Sequence, residues 1–227
     1  MSDGTPGPSK VEAQYVQYVL WRLDPMYHNL ESNERIVAKQ HFVGTWESFQ
    51  SRALFVTYAL TGLRSDCDIL SMRVSTSLEL LQDMTTRLQS SGTGRFLSTS
   101  YSFLARASGP RYAAKAGPGE FAPGQGRYLF LSPWTHTAEW HGAEPETRAT
   151  MERALEEAAA RRGLRLHPGL RGLDEVDELL AVEADKPDEY LDFADEVDAL
   201  RGQTHSQAGP TFVGVLKDLR DHIDTLG

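Results

Sequence analysis

Residues 133–183, PWTHTAEWHGAEPETRATMERALEEAAARRGLRLHPGLRGLDEVDELLAVE, decide how the rest of the chain is read. Leu, Tyr, Phe and Trp over 127–140 suit a pleated, half-buried strand, and the Ala/Glu/Arg run over 145–162 predicts a helix. Two more strands are expected at 164–170 and 175–184. The polar residues with chemistry fall on these strands, His136 and His141 on the first, Arg165 and His167 on the second. Strand residues two apart share a face, so Arg165 and His167 point the same way, a cation beside an imidazole that suits an anion or an oxidant. His136 and His141 are five apart, which sets them on opposite faces and argues against a shared zinc site.

Outward from this stretch, the first half of the chain shows the same pattern. Residues 15–23 (YVQYVLWRL) alternate as a strand. A helix follows over 31–51, with Ser32 as N-cap and Ile36, Val37, Phe42, Val43, Trp46 and Phe49 on one face. Strands are expected at 54–60 and 68–74. Ser77 caps a helix to residue 89 that buries Leu78, Leu81, Met84 and Leu88, and a strand at 96–105 closes the half. The order is β-α-β-β-α-β. After the first strand and helix of 127–162 and the next two strands, a helix at 188–200 and a strand at 211–215 repeat that order, with a short final helix over 216–226. Even the junctions recur, Gly62-Leu63 in one half and Gly172-Leu173 in the other. The expected fold is α+β, two duplicated ferredoxin-like halves whose sheets pack together in the manner of a dimeric α/β barrel. The expected organisation is a disordered tail at 1–10, a first half at 11–107, a Gly/Pro/Ala linker at 108–126 and a second half at 127–227.

With 227 residues, 40% of them hydrophobic, the chain can bury a sizeable core. A net charge of -9 argues against a sequence-independent nucleic-acid binder, which needs a basic stripe to displace counterions. Cys67 is the one cysteine, so neither a disulfide framework nor a thiolate metal site forms within the chain, which fits a reducing cytoplasm. No window approaches the ~18 apolar residues of a membrane span, and the N-terminus has no secretory pattern. No G-x-S-x-G, H-E-x-x-H or G-x-G-x-x-G occurs, which removes the usual hydrolase, zinc-protease and dinucleotide readings.

Four segments together resemble the chlorite dismutase family, which includes the coproheme decarboxylases. They are GLRSDCDILSMRVS (62–75), GRFLSTSYSFLAR (94–106), PWTHTAEWHGAEPETR (133–148) and GLDEVDELLAVEADKPDEYLDF (172–193), in family order and at similar spacing. The resemblance implies two ferredoxin-like halves in one subunit, a homopentameric ring, and heme in the second half. It places Arg165, seven residues before Gly172, where chlorite-degrading members carry a distal arginine that stabilises an anionic oxidant. It places His136 where the family has a lysine near the heme carboxylates, and Trp140 and His141 where decarboxylases have a Trp followed by a radical-forming Tyr. The family ligates iron through a histidine late in the helix after P-E-E-R; the matching window 153–157 (RALEE) has none. A glutamate that would orient that imidazole should fall within 201–205 (RGQTH), and none is there. His167 and His205 are the candidate replacement ligands. The expected function is a heme-type oxidoreductase acting on chlorite or peroxide with atypical axial ligation. The alternative is a heme-free relative serving as an oligomeric scaffold or small-molecule binder.

Overall fold

The computed structural model describes residues 12–226; the tail expected at 1–10 lies outside them. The first half runs β1 (Tyr15–Leu23), α1 (Ser32–Glu47), β2 (Leu54–Ala59), β3 (Ile69–Ser75), α2 (Leu78–Ser90) and β4 (Leu97–Ala107). A middle segment carries two short strands, β5 (Arg111–Tyr112) and β6 (Glu120–Phe121). The second half runs β7 (Tyr128–His136), α3 (Ala138–Gly142), α4 (Pro145–Arg161), β8 (Arg165–Leu166), β9 (Leu170–Gly172), β10 (Glu178–Ala184), α5 (Pro187–His205), β11 (Ser206–Ala208), β12 (Phe212–Leu216) and α6 (Leu219–Thr225).

The first-half strands pair in the order β4-β1-β3-β2 and the second-half strands in the order β9-β10-β7-β12. Counted along the chain, each half has its first strand between its third and fourth. The two sheets then join at both edges, β2 to β12 through Ala59↔Val215 and Tyr58↔Leu216, and β4 to β9 through Ala105↔Gly172 to Ala107↔Leu170. Eight antiparallel strands therefore close on themselves, which leaves few free edges.

Strand alternation sorts the side chains into an inner and an outer core. From β1, Val16, Tyr18 and Leu20 enter the barrel interior with Tyr58, Leu70, Met72, Leu131 and Phe212, while Val19, Trp21 and Leu23 pack outward with α1 and α6. From β10, Leu179 and Ala181 point inward, whereas Leu180, Val182 and Ala184 pack outward beneath α4 and α5. Both faces of β10 are thus covered, and its sequence, ELLAVEA, is correspondingly apolar except at two glutamates.

Four local expectations are corrected. Leu78, at the first turn of α2, is 39% exposed, and the buried face is Leu81, Met84 and Leu88. The cap of α1 is Glu31, whose amide donates to Glu34 Oε2 at 2.9 Å in a reciprocal capping box, and Ile36 and Val37 are exposed because Phe42, Val43 and Trp46 fix the buried face. The first strand of the second half stops at His136: Thr137 caps α3 through its hydroxyl on the Trp140 amide, so His141 sits on a helix. The strand expected at 164–170 is two short ones, β8 and β9, because Pro168 between them has no amide to give the ladder.

Candidate functional site

A cavity of about 1040 Å³ lies between α4, β10 and the β8–β9 connection, at the upper end of the range for small-molecule sites. Pro145 at the first helical position and Gly163 at φ +69 just past the end fix the length of α4. Its residues Arg148, Glu152, Leu155, Glu156 and Ala159 recur at spacings of three and four, which sets them on one face, and all line the cavity. Opposite them stand Leu179 and Leu180 of β10 and the β8–β9 connection from Arg165 to Arg171. The α3 cap turns Trp140 inward, where it is buried, and Arg148 donates to the carbonyls of Trp140 and His141, both at 3.2 Å, tying α4 to α3.

One end of the cavity is closed by an ion cluster. Arg201 of α5 is 2% exposed and makes a bidentate pair with Glu178, Nη1–Oε2 2.9 Å and Nη2–Oε1 3.0 Å. Its guanidinium lies 5.6 Å from the ring centroids of both Trp134 and Trp140. His136 stacks on Trp140 at 4.5 Å, shares a hydrogen bond with Ser206 Oγ through Nδ1 at 2.9 Å, and approaches Glu178 through Nε2 at 3.4 Å. Burial pushes the Glu178 carboxyl up, but the hydrogen bonds and charges of His136 and Arg201 outweigh it and hold the carboxyl below its ordinary value.

A second cluster sits where the cavity meets the barrel interior. Glu183 continues the inward row of β10 and is fully buried. Its Oε1 accepts from His167 Nε2 at 3.1 Å, Tyr58 Oη at 3.2 Å and the Gly124 amide at 2.6 Å; its Oε2 accepts from the amides of Gln125 and Gly126 at 2.9 and 3.0 Å. Gly124 stands at φ +75, and a Cβ on Gly126 would come within 2.7 Å of the Glu183 Cβ, so this approach of the chain depends on glycine at both positions. Burial would raise the Glu183 carboxyl, yet His167 and the Gly124 and Gly126 amides win and hold it at about 2. His167 Nδ1 lies 3.2 Å from Tyr18 Oη and 3.4 Å from Tyr112 Oη. Burial and the Glu183 charge push the phenols of Tyr18 and Tyr58 up, and burial with the neighbouring Tyr18 does the same for Tyr112. Arg165 reaches the same carboxylate at 3.6 Å through Nε, donates from Nη2 to the Ala122 carbonyl at 2.8 Å and lies 5.2 Å from the Phe121 ring centroid.

The residues singled out from sequence therefore separate. Arg165, His136, Trp140, His141 and His167 all line the cavity, and Arg165 and His167 do meet, across Glu183. Both ring nitrogens of His167 are engaged inside the protein, as are those of His136. His205 touches Trp140 edge-on at 6.4 Å and is not among the lining residues. Among the described residues no group of three His, Cys, Asp or Glu is placed to hold a metal ion. Sequence reading missed Glu178, Glu183 and Arg201. A glutamate inside a strand covered on both faces was the available signal, because such a charge requires partners.

The family model described as chlorite dismutase matches residues 33–217. No curated protein matches the chain. Among solved structures, the fold is similar to a variant of chlorite dismutase from Candidatus Nitrospira defluvii (TM-score 0.82, 18% identity, 95% of this chain and 96% of that one). It is similar to the same enzyme in complex with imidazole (TM-score 0.79, 19% identity, 93% and 94%) and to a heme-binding protein from Thermus thermophilus (TM-score 0.77, 18% identity, 95% and 95%). The closed barrel and the cavity outside its second half thus occur in a chain whose match to the family model takes in all of that half through β12, and on that match the chain belongs to the chlorite dismutase family.

Proposed function

We propose that the cavity between α4 and β10 is a tetrapyrrole site and that the protein is a heme-type oxidoreductase of its family, acting on a small oxidant of the chlorite or peroxide class. The observation that carries this reading is the cavity itself. It is large, flanked by Leu155, Leu166, Leu179, Leu180 and Trp140 for the flat body of a porphyrin, and provided with Arg148 and Arg171 for its carboxylates. The residues present fit the macrocycle, but α4 supplies no imidazole for the metal. When bound, an iron porphyrin supplies the electron and oxygen chemistry. The chain's own contribution is orientation and charge. Arg165 holds a guanidinium against the cavity wall, kept in place by the Ala122 carbonyl and by Glu183, and a fixed cation there stabilises an anionic oxidant or a departing oxyanion. His136, stacked on Trp140, supports the wall, and His141 stands at its exposed side.

The same reading takes the two halves, with their matching strand orders, as copies of one ferredoxin-like unit joined by 108–126, and takes the subunit as one of a homo-oligomeric ring in the cytoplasm. Among the described residues no helix is long and apolar enough to cross a membrane.

Hemin titration of the purified protein tests the cofactor. Saturable binding near one per chain, with a protein-bound Soret band, is expected. A protein that stays colourless, with no saturable hemin uptake, overturns the reading in favour of a heme-free scaffold or binder.

A further inference from the structure

We infer that the cavity recognises its tetrapyrrole by the flat apolar body and the carboxylates and gives no strong axial bond to the metal, so that metal-free and iron porphyrins bind alike. The inference rests on the tetrapyrrole reading and specifies how that site selects its ligand.

The chain has seven histidines. His28 packs against Tyr27, His41 lines a separate groove beside α1, and His222 is buried on the inner face of α6, and none of the three lines the cavity. His205 does not line it. His167 lines it but spends Nε2 on Glu183 and Nδ1 between two phenols, and freeing either nitrogen leaves buried polar groups without partners. His136 is held between Ser206 and Glu178. No cysteine, methionine or tyrosine is among the lining residues, and Cys67 belongs to the barrel core.

What remains is His141, exposed on the last turn of α3, and three carboxylates, Asp177, which already accepts from the His136 amide at 2.7 Å, and Glu152 and Glu156, one turn apart on α4. Carboxylates suit hard cations in oxygen-rich sites, and imidazole or thiolate is the protein's usual way to hold heme iron. The cavity-facing members of α4 that are also buried are Leu155 and Ala159, each 1% exposed, which offer the metal only methyl groups. At the closed end, Arg201 and Glu178 already satisfy one another, so no acceptor there is free to orient an axial imidazole. The cations are better disposed. Among the described residues Arg171 makes no side-chain hydrogen bond, and Arg148 donates through Nη1 alone. Affinity then follows buried apolar area and charge-assisted contacts to carboxylates, neither of which depends on the metal.

The test titrates the full chain with hemin and with metal-free protoporphyrin, following the quenching of tryptophan fluorescence that Trp134 and Trp140 report. Dissociation constants within about threefold of one another are expected, since a metal bond of real strength separates them by about tenfold or more. Hemin binding more than about tenfold tighter, with the advantage abolished by His141→Ala or His205→Ala, overturns the inference and leaves the tetrapyrrole reading standing. Saturable binding of neither compound overturns both. Leu155→His supplies the missing donor, and Glu156→His supplies it at an exposed position should the buried change fail to fold. At least one is expected to raise the preference for hemin above about tenfold, with an imidazole-type spectrum and unchanged protoporphyrin affinity. A ratio that stays near one in both folded variants places the macrocycle away from α4 and overturns the inference.

Discussion

Glu183→Gln is the sharpest test of how the site is held. The carboxylate accepts five hydrogen bonds, from His167, Tyr58 and the amides of residues 124–126, and faces Arg165. An amide keeps the shape but turns one acceptor into a donor. Toward Gln125 and Gly126 it would meet two fixed N–H groups. Toward His167, Tyr58 and Gly124 a tautomer change and a hydroxyl rotation relieve two of the three conflicts and strand one fixed amide, so that orientation is preferred. One stranded donor, together with the lost charge assistance on the other bonds, costs about 3–5 kcal/mol. The pH dependence gives an independent figure. Because the folded value, about 2, lies below the ordinary 4.5, the stabilisation is present above about pH 4.5 and is lost as pH falls through about 2. That difference corresponds to about 3 kcal/mol at pH 7, of which about 2 is gone by pH 3. Urea unfolding of both proteins, followed by tryptophan fluorescence, should therefore show a gap of about 3–5 kcal/mol at pH 7 that narrows by about 2 at pH 3. A gap under about 1 kcal/mol at pH 7, or one that does not change with pH, refutes the description of Glu183 as the ionised centre of the cluster.

Arg201→Met should lower stability by about 3–5 kcal/mol because it abandons Glu178, and adding Glu178→Gln should recover most of the loss; equal losses in the single and double variants would contradict the pairing. Arg73 is buried between Trp21 and Trp46 with, among the described residues, only Ser71 and Thr85 as hydrogen-bond partners, and burial pushes its guanidinium down to about 9. No carboxylate is abandoned when it is removed, so Arg73→Met should leave the melting temperature unchanged or raise it, with about 0–4 kcal/mol gained, and a large drop would contradict this. His222 is buried with both ring nitrogens unpartnered among the described residues, and burial, then the Lys217 charge, lowers it to about 4. The fold prefers the neutral ring, so stability is full above about pH 6.5 and falls by about 3 kcal/mol as pH drops to about 4; His222→Leu should flatten that segment of the pH–stability curve, and an unaltered slope there would count against it.

The elements that announced themselves were those whose local chemistry agreed with their packing. β1 was legible because its alternation is also its division between inner and outer cores, and α2 because Ser77 caps it through the Leu80 amide. The start of α1 was misread because a glutamate capping box imitates a serine cap one residue later, and its apolar stripe because Ile36 and Val37 satisfy the period without facing the core. The positions of Arg165, His136 and Trp140 on the cavity wall were legible through the family resemblance. The role of Glu183 was not, because its partners come from residues 58, 124–126 and 167, brought together only when the barrel closes. The segment 108–126 likewise read as a spacer, although Tyr112 and the amides of 124–126 belong to the buried cluster.

The two seams of the ring are short, two residue pairs between β2 and β12 and three between β4 and β9, against seven between β1 and β3. The β2–β12 seam also joins the strands farthest apart in the chain, so it closes at the highest loop-closure cost. Amide hydrogen exchange should register this as early loss of protection at residues 58–59, 105–107, 170–172 and 215–216, with the centres of β1 and β10 following only on global unfolding. The β4–β9 seam borders the cavity through Leu170 and Arg171, so early exchange at 170–172 would mark the cavity wall as the part of the barrel that opens before either half melts.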